Sequence, residues 1–326
     1  MSEFPAVKLH VVTGKGGAGK TTVAGALALA LAAGGRVVLL AEVEGRQGIA
    51  QLFDTPPLPY EERKIASARG GGEVYALAID PELALLEYLE HFYNLRRAGS
   101  MLKKLGAIDF ATTIAPGVRD VLLSGKVMEA ATRERRGGGR LYDAVVLDAP
   151  PTGRIARFLN VNTEVAALAR MGPIHNQADS VMALLRSSKT AVHLVTVLEE
   201  MPVQETADGV GDLHETGLPV GAVIVNMVRA PLLPVDSIER TADGAIDIAE
   251  IVTGLKAAGI EADDPLTRAL AGEARDHAAR VLLEQQERTV LAALDRPMYE
   301  LPRLTDAAEM SGLLDLAEHL QAAGMV

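Results

Sequence analysis

The 326-residue sequence contains no cysteine. That excludes disulfides, thiolate nucleophiles, iron–sulfur clusters and thiolate metal sites together. Tryptophan is also absent and aromatic residues make up only 3%, so base stacking on an aromatic platform is not expected. Basic charge is in short supply: 32 Lys and Arg stand against 43 Asp and Glu, a formal net charge of −11. Such a chain is a poor electrostatic partner for nucleic acid or an anionic membrane surface. Long apolar runs are missing as well. The longest, Val23 to Ala33, falls far short of the ~20 residues of a membrane span. The N-terminus, Met1 to Ala6, carries Glu3 and Pro5 and lacks the basic stretch of a secretory signal. The expected protein is cytoplasmic, not integral to a membrane, and does not bind nucleic acid.

What is present suits a large core: 48% of the residues are hydrophobic. Short apolar, β-branched runs predict strands at 8–13, 36–42, 73–79, 143–148, 190–196, 220–225 and 298–301. A helix is expected from Thr21 to Ala33, stopped by Gly34-Gly35. Strands apolar throughout and alternating with helices imply an α/β fold, with a mostly parallel sheet covered by helices on both faces. The stretch Glu61 to Gly72 reads as a mobile loop. Segments at about 81–136 and 161–186 are helical in composition and are expected to form one inserted helical subdomain. A third segment, about 231–288, reads as an acidic helical insertion in what is otherwise a single domain spanning 1–326.

The strongest chemical signal lies between the first strand and the first helix. Gly14-Lys15-Gly16-Gly17-Ala18-Gly19-Lys20-Thr21 matches the phosphate-loop pattern G-x-x-x-x-G-K-[ST] in full. Glycines let backbone N–H groups turn toward phosphates, and the helix N-terminus adds partial positive charge. Lys20 can reach the β- and γ-phosphates, the Thr21 hydroxyl can ligate Mg²⁺, and Thr22 follows on the same turn. Gly14, Gly16 and Gly19 also satisfy the dinucleotide pattern G-x-G-x-x-G, with Glu42 placed to hold a ribose. Lys20-Thr21 argues against that alternative, because the dinucleotide motif has no use for a buried cation and a metal-ligating hydroxyl. Asp148 ends an apolar strand, where a second magnesium-associated carboxylate belongs, most simply acting through water. After it, Ala149 to Gly153 forms a stiff loop suited to sensing a γ-phosphate.

These residues resemble a family. Lys15, directly after the first glycine, is the signature lysine of the dimeric SIMIBI class of P-loop ATPases. The run Asp148-Ala-Pro-Pro-Thr-Gly-Arg-Ile-Ala-Arg-Phe-Leu is similar to the D-T-A-P-T-G-H-x-x-R-x-L motif of the ArsA-like group, which contains arsenite-pump and tail-anchored-protein-targeting ATPases. Pro116 to Asp120 resembles the group's P-P-G-x-x-E segment, and Leu301-Pro302-Arg303-Leu304 its late adenine-flanking loop. The resemblance implies ATP and Mg²⁺ as ligands, with Gly14 to Thr22 around the phosphates, and Asn226 and Pro302 at the adenine. It implies a homodimer, or a heterodimer with a close homologue, in which Lys15 crosses to the partner's nucleotide. It also implies a membrane-protein or apolar-helix client and a peripheral place at the membrane.

The group's water-positioning Asp falls here on Glu44, in Glu44-Gly45-Arg46-Gln47-Gly48-Ile49. A carboxylate remains, one methylene longer. A 1 Å misplacement can cost about 10²-fold in rate, so hydrolysis is expected to be slow or to need a partner, with Glu42 the next candidate. The cysteine motifs that bind zinc or arsenite within the group are absent, so no zinc is expected. A nucleotide-stabilised scaffold that hydrolyses little is the alternative. A chromosome- or septum-positioning ATPase is weaker still, because Leu313 to Ala323 has no Lys or Arg. Met101, Met128, Met171 and Met182 are read as core or seam residues before a client groove. His10 and His193 are read as satisfied core groups. The cluster Arg133, Arg135, Arg136 and Arg140 is read as a solvated loop.

Overall fold

A computed structural model describes residues 3–93, 117–135, 137–168, 173–304 and 309–326. Met101, Pro116, Arg136 and Met171 lie outside these residues. Among the described residues eight strands form one sheet in the order β3-β4-β2-β5-β1-β6-β7-β8, parallel throughout except for the β3–β4 pair. Its centre is β1 (Leu9–Gly14), flanked by β5 (Ala144–Asp148) and β6 (Thr190–Thr196). Beyond β5 come β2 (Val37–Glu42) and β4 (Glu73–Ala78); beyond β6 come β7 (Val220–Val228) and β8 (Met298–Pro302). All six residues of β1 and all seven of β6 are buried, which is why these runs are apolar on both faces rather than alternating.

One face is covered by α1 (Lys20–Ala32), whose last ten residues are all buried. A helix apolar all round must be enclosed. Here α1 lies against the sheet and against the last helix, Met310–Ala322, through Leu313, Leu316 and Leu320. On the opposite face Leu9, Val11, Leu147 and Leu194 meet helices α4 (Val118–Thr132), α5 (Thr152–Leu168), α6 (Pro173–Leu185) and α7 (Glu200–Glu215). Helices α4, α5 and α6 pack on one another, and α3 (Pro81–Tyr93) packs on α4. The segment after β7 forms short helices and then one of 29 residues, Asp264–Ala292, capped by the Asp263 side chain.

Three expectations are corrected. Residues 63–67 form β3, an antiparallel edge strand on β4 with a register shift between Lys64 and Ala66. Its polar, half-exposed sequence carries little strand signal, and pairing with β4 supplies the order. The loop after Asp148 ends early, because α5 begins at Thr152, one residue after Pro151. The arginine cluster is only partly solvated: Arg133 bonds Glu62 at 2.7 Å and Glu129, while Arg140 donates to the Ala131 carbonyl. Met128 and Met182 are buried in the core.

His10 and His193 are fully buried on neighbouring strands, with His10 Nδ1 3.0 Å from His193 Nε2. The Ala222 N–H donates to His193 Nδ1 at 3.1 Å. His193 therefore carries its proton on Nε2 and donates to His10, whose own proton sits on Nε2. That Nε2 has no partner among the described residues, so the pair is only half satisfied. Burial lowers both imidazoles, His193 to about 3; at His10 the charges of His193 and Lys8 lower it further. Both folded-state values lie below the ordinary one. The unfolded chain therefore takes up protons first as pH falls through about 6.5, and stability declines below that point. The expected outcome is a lower melting temperature at about pH 5 than at about pH 7, with a smaller loss in His10→Leu, measured by thermal unfolding.

Candidate active site

The phosphate loop leaves β1 at Gly14 and enters α1 at Lys20. Two glycines are forced by their neighbours. A Cβ on Gly14 would overlap the Val195 carbonyl of β6, and a Cβ on Gly19 would overlap the Asn226 amide. Gly19 also holds φ 86°, in the left-handed region. Gly16 and Gly17 instead face open space and are exposed, so the outer side of the loop is free to approach a ligand. Ala18 is buried beneath it. Thr21 and Thr22 lie on the first turn of α1, both partly buried, as is Lys20.

The parallel register sets Val12 beside Asp148, which carries the strand-end carboxylate to the foot of α1. There the Thr21 hydroxyl donates to Asp148 Oδ2 at 2.6 Å. Thr13 Oγ1 donates to the Pro150 carbonyl at 2.6 Å, and the Ala149 N–H to the Val12 carbonyl at 2.9 Å, so the following loop is tied to β1. Burial pushes the Asp148 carboxyl up to about 6; the Thr21 hydroxyl and Lys20 pull it down, and Glu42 and Glu44 push it up. A hydroxyl and a carboxylate side by side at a helix N-terminus, with a lysine next to them, are hard oxygen donors suited to Mg²⁺ on a nucleotide. The residues therefore fit that ion.

Glu42 and Glu44 part company. Glu42 is 3% exposed, and its two oxygens accept the backbone N–H groups of Gln47 at 2.8 Å and Ile49 at 3.1 Å. It clamps the loop after β2. That occupation leaves it neither a ribose ligand nor a ready water base. The Gln47 side chain bonds both backbone groups of Leu58, strapping the same loop further out. Glu44 stands partly exposed, 4.0 Å from Arg46 Nε.

Lys15 reaches Glu205 of α7, 3.7 Å away, with both side chains about one-third exposed. Sequence reasoning missed Glu205, because nothing sets it apart from Glu199 and Glu200 until α7 is packed beside the loop. Asn226, buried at the end of β7, donates from Nδ2 to the Ala18 carbonyl at 2.9 Å. It holds the phosphate loop and leaves Oδ1 as an acceptor. Pro302 pairs in register with Val228, two residues beyond Asn226, so the two proposed adenine-side residues come from neighbouring strands.

Comparison with known proteins places this geometry among relatives. The family model described as anion-transporting ATPase matches residues 7–189. The chain is 52% identical over 325 residues to ATPase BagA of Mycobacterium tuberculosis, covering 99% of this chain and 95% of that one. It is 28% identical over 251 residues to ATPase GET3 of Kluyveromyces lactis, covering 67% and 71%. A protein of Aquifex aeolicus named for an arsenical pump-driving ATPase is 25% identical over 244 residues, covering 66% and 78%. Among the described residues no helix is long and apolar enough to cross a membrane.

A proton on Asp148 competes with a metal ion, and that carboxyl titrates near 6. Mg²⁺-dependent nucleotide binding is expected to weaken as pH falls through about 6 and to hold above it. Asp148→Asn should weaken binding and flatten the profile, as measured by calorimetry across that range.

Proposed function

The chain belongs to the anion-transporting (ArsA) ATPase family, and from that premise we propose that it is an ATP-hydrolysing switch working as a face-to-face dimer in the cytoplasm. The observation that carries the reading is the Thr21–Asp148 contact of 2.6 Å at the foot of a complete phosphate loop. The loop backbone from Gly14 to Gly19 cradles the phosphates, and Lys20 neutralises charge on the β- and γ-oxygens. Mg²⁺, when bound, adds positive charge at those same oxygens. Thr21 would hold it through its hydroxyl and Asp148 through water, which requires the Thr21 proton to turn away from Asp148. Asn226 offers Oδ1 to the exocyclic amine of adenine, which favours ATP over GTP, with Pro302 flanking the base.

Glu44 orients the attacking water. Its position against Arg46 supports a slow chain, or one completed by a homologous partner. That same observation favours the second reading, a nucleotide-stabilised scaffold paired with an active homologue. Lys15 contributes to the partner's site, and its contact with Glu205 is the contact that must open for it to cross. Helix α5 starts four residues after Asp148, and α4 and α6 pack against it. These helices form the subdomain through which the nucleotide state reaches a client or a partner at the membrane. "Transport" in the family description does not carry over to this chain.

Lys20→Ala is expected to abolish ATP binding in a folded protein, read by calorimetry. Glu44→Ala should keep binding and lower turnover by about 10²-fold or more. Lys15→Ala should also keep binding but lose turnover, while Glu205→Gln strengthens dimerisation with a non-hydrolysable ATP analogue, read by light scattering. A strictly monomeric wild type under those conditions, even with its nearest homologue added, overturns the dimer. Asn226→Ala should weaken ATP binding and erase the preference for adenine over guanine. A wild type that binds GTP as tightly as ATP removes Asn226 from the base site.

A further inference from the structure

Beside the phosphate loop, but lined by none of its residues, lies a cavity of about 220 Å³. Its polar walls come from three separate places in the fold. Glu44 and Arg46 belong to the loop after β2, Arg119 and Asp120 to the first turn of α4, and Arg154 to the first turn of α5, with Pro150 at the edge. Three arginines and two carboxylate residues therefore line one space. Among the described residues neither Arg119 nor Arg154 forms an ion pair within 4.0 Å. Among the same residues Arg46 makes the long contact with Glu44 and no other ion pair. Burial raises the Asp120 carboxyl; Arg154, Arg119 and Arg157 act on it in the opposite sense. The space thus holds more positive charge than its own carboxylates compensate.

We propose that this cavity is an oxyanion site, taking a tetrahedral anion of the inorganic phosphate class between Arg46, Arg119 and Arg154. Guanidinium forks match such oxygens in geometry and charge, and their bonds to ionised acceptors are about twice as strong as neutral ones. Arginines from three elements lining one cavity suit a compact tetrahedral anion, with oxygens on every side, better than a planar carboxylate. The starts of α4 and α5 add partial positive charge in the same direction. Arg154 occupies the position where the resembling motif has His, so its charge and reach belong to this chain's own sequence. Two sources offer the same chemistry: free phosphate from solution, or phosphate released at the adjoining cradle. Anion binding requires no hydrolysis, whereas delivery from the cradle rests on the ATPase reading above.

The test is calorimetry with inorganic phosphate on nucleotide-free protein in the Lys20→Ala background, which removes the cradle's own anion affinity. Saturable binding is expected there. Adding Arg119→Gln and Arg154→Gln should weaken it about tenfold or more. Arg154→Lys, which keeps the charge and loses the fork, should bind between wild type and Arg154→Gln and guards against loss of fold in the double variant. No saturable binding in Lys20→Ala overturns the site, as does binding unchanged by both arginine substitutions. Failure of ATP hydrolysis leaves this titration intact, so the two readings fail separately. Phosphate release after a single turnover then identifies the source. Faster release from Arg154→Gln than from wild type supports delivery from the cradle. An unchanged rate, with binding lost in the titration, supports capture of free anion at the same site.

Discussion

The contact between Thr21 and Asp148 depends on β1 and β5 being neighbours in register. The two residues are 127 positions apart, and nothing local brings them together. Once Val12 lies beside Asp148, the end of β5 arrives under the first turn of α1, where the phosphate loop has already delivered Thr21. The rest of the site follows from that adjacency. The loop after β5 is held to β1 by Thr13, α5 starts where that loop ends, and the clamp set by Glu42 rests on the next strand over. A parallel sheet makes this economical: its strands end on one edge, so successive loops converge there by topology alone.

That edge also concentrates charge whose balance is local. The chain is acidic as a whole, yet the cradle and the neighbouring cavity gather Lys15, Lys20, Arg46, Arg119 and Arg154. Global charge therefore says little about what this edge attracts, while it still disfavours extended polyanions. Carboxylates temper three of these groups. Glu205 holds Lys15, Asp148 stands by Lys20, and Glu44 stands by Arg46. The Lys15–Glu205 and Arg46–Glu44 contacts are long and partly exposed, so neither demands a large energy to rearrange. The buried Glu42 is different, because both its oxygens are used by backbone groups and the loop cannot move without breaking them.

The sheet order, the corrected elements and the two histidines show where packing overrides composition. Strand β3 exists because β4 offers an open edge; its own residues, Arg63 to Ser67, are too polar to announce a strand. His10 and His193 sit in apolar runs that read plainly as strands. Only their cross-strand contact reveals that one is satisfied by the Ala222 N–H and the other keeps a buried nitrogen without a partner among the described residues.

The phosphate loop, the strand-end Asp148 and the α/β class were legible from the chain alone. Each is encoded in contiguous residues: glycines at fixed spacing, a lysine and hydroxyl at a helix start, apolar runs of strand length. The same was true of α1, whose unbroken apolar surface admits only a buried position. The distinction between Glu42 as clamp and Glu44 as the outward carboxylate was not legible, because two acidic residues two apart look alike until the strand is seen to end at Glu42 and the chain to leave the sheet before Glu44. Glu205 beside Lys15, Asn226 under the phosphate loop and the three arginines around one cavity were decided only by tertiary structure. They lie on elements distant in sequence, and no periodicity or motif within any one of them records which neighbour the sheet topology will supply.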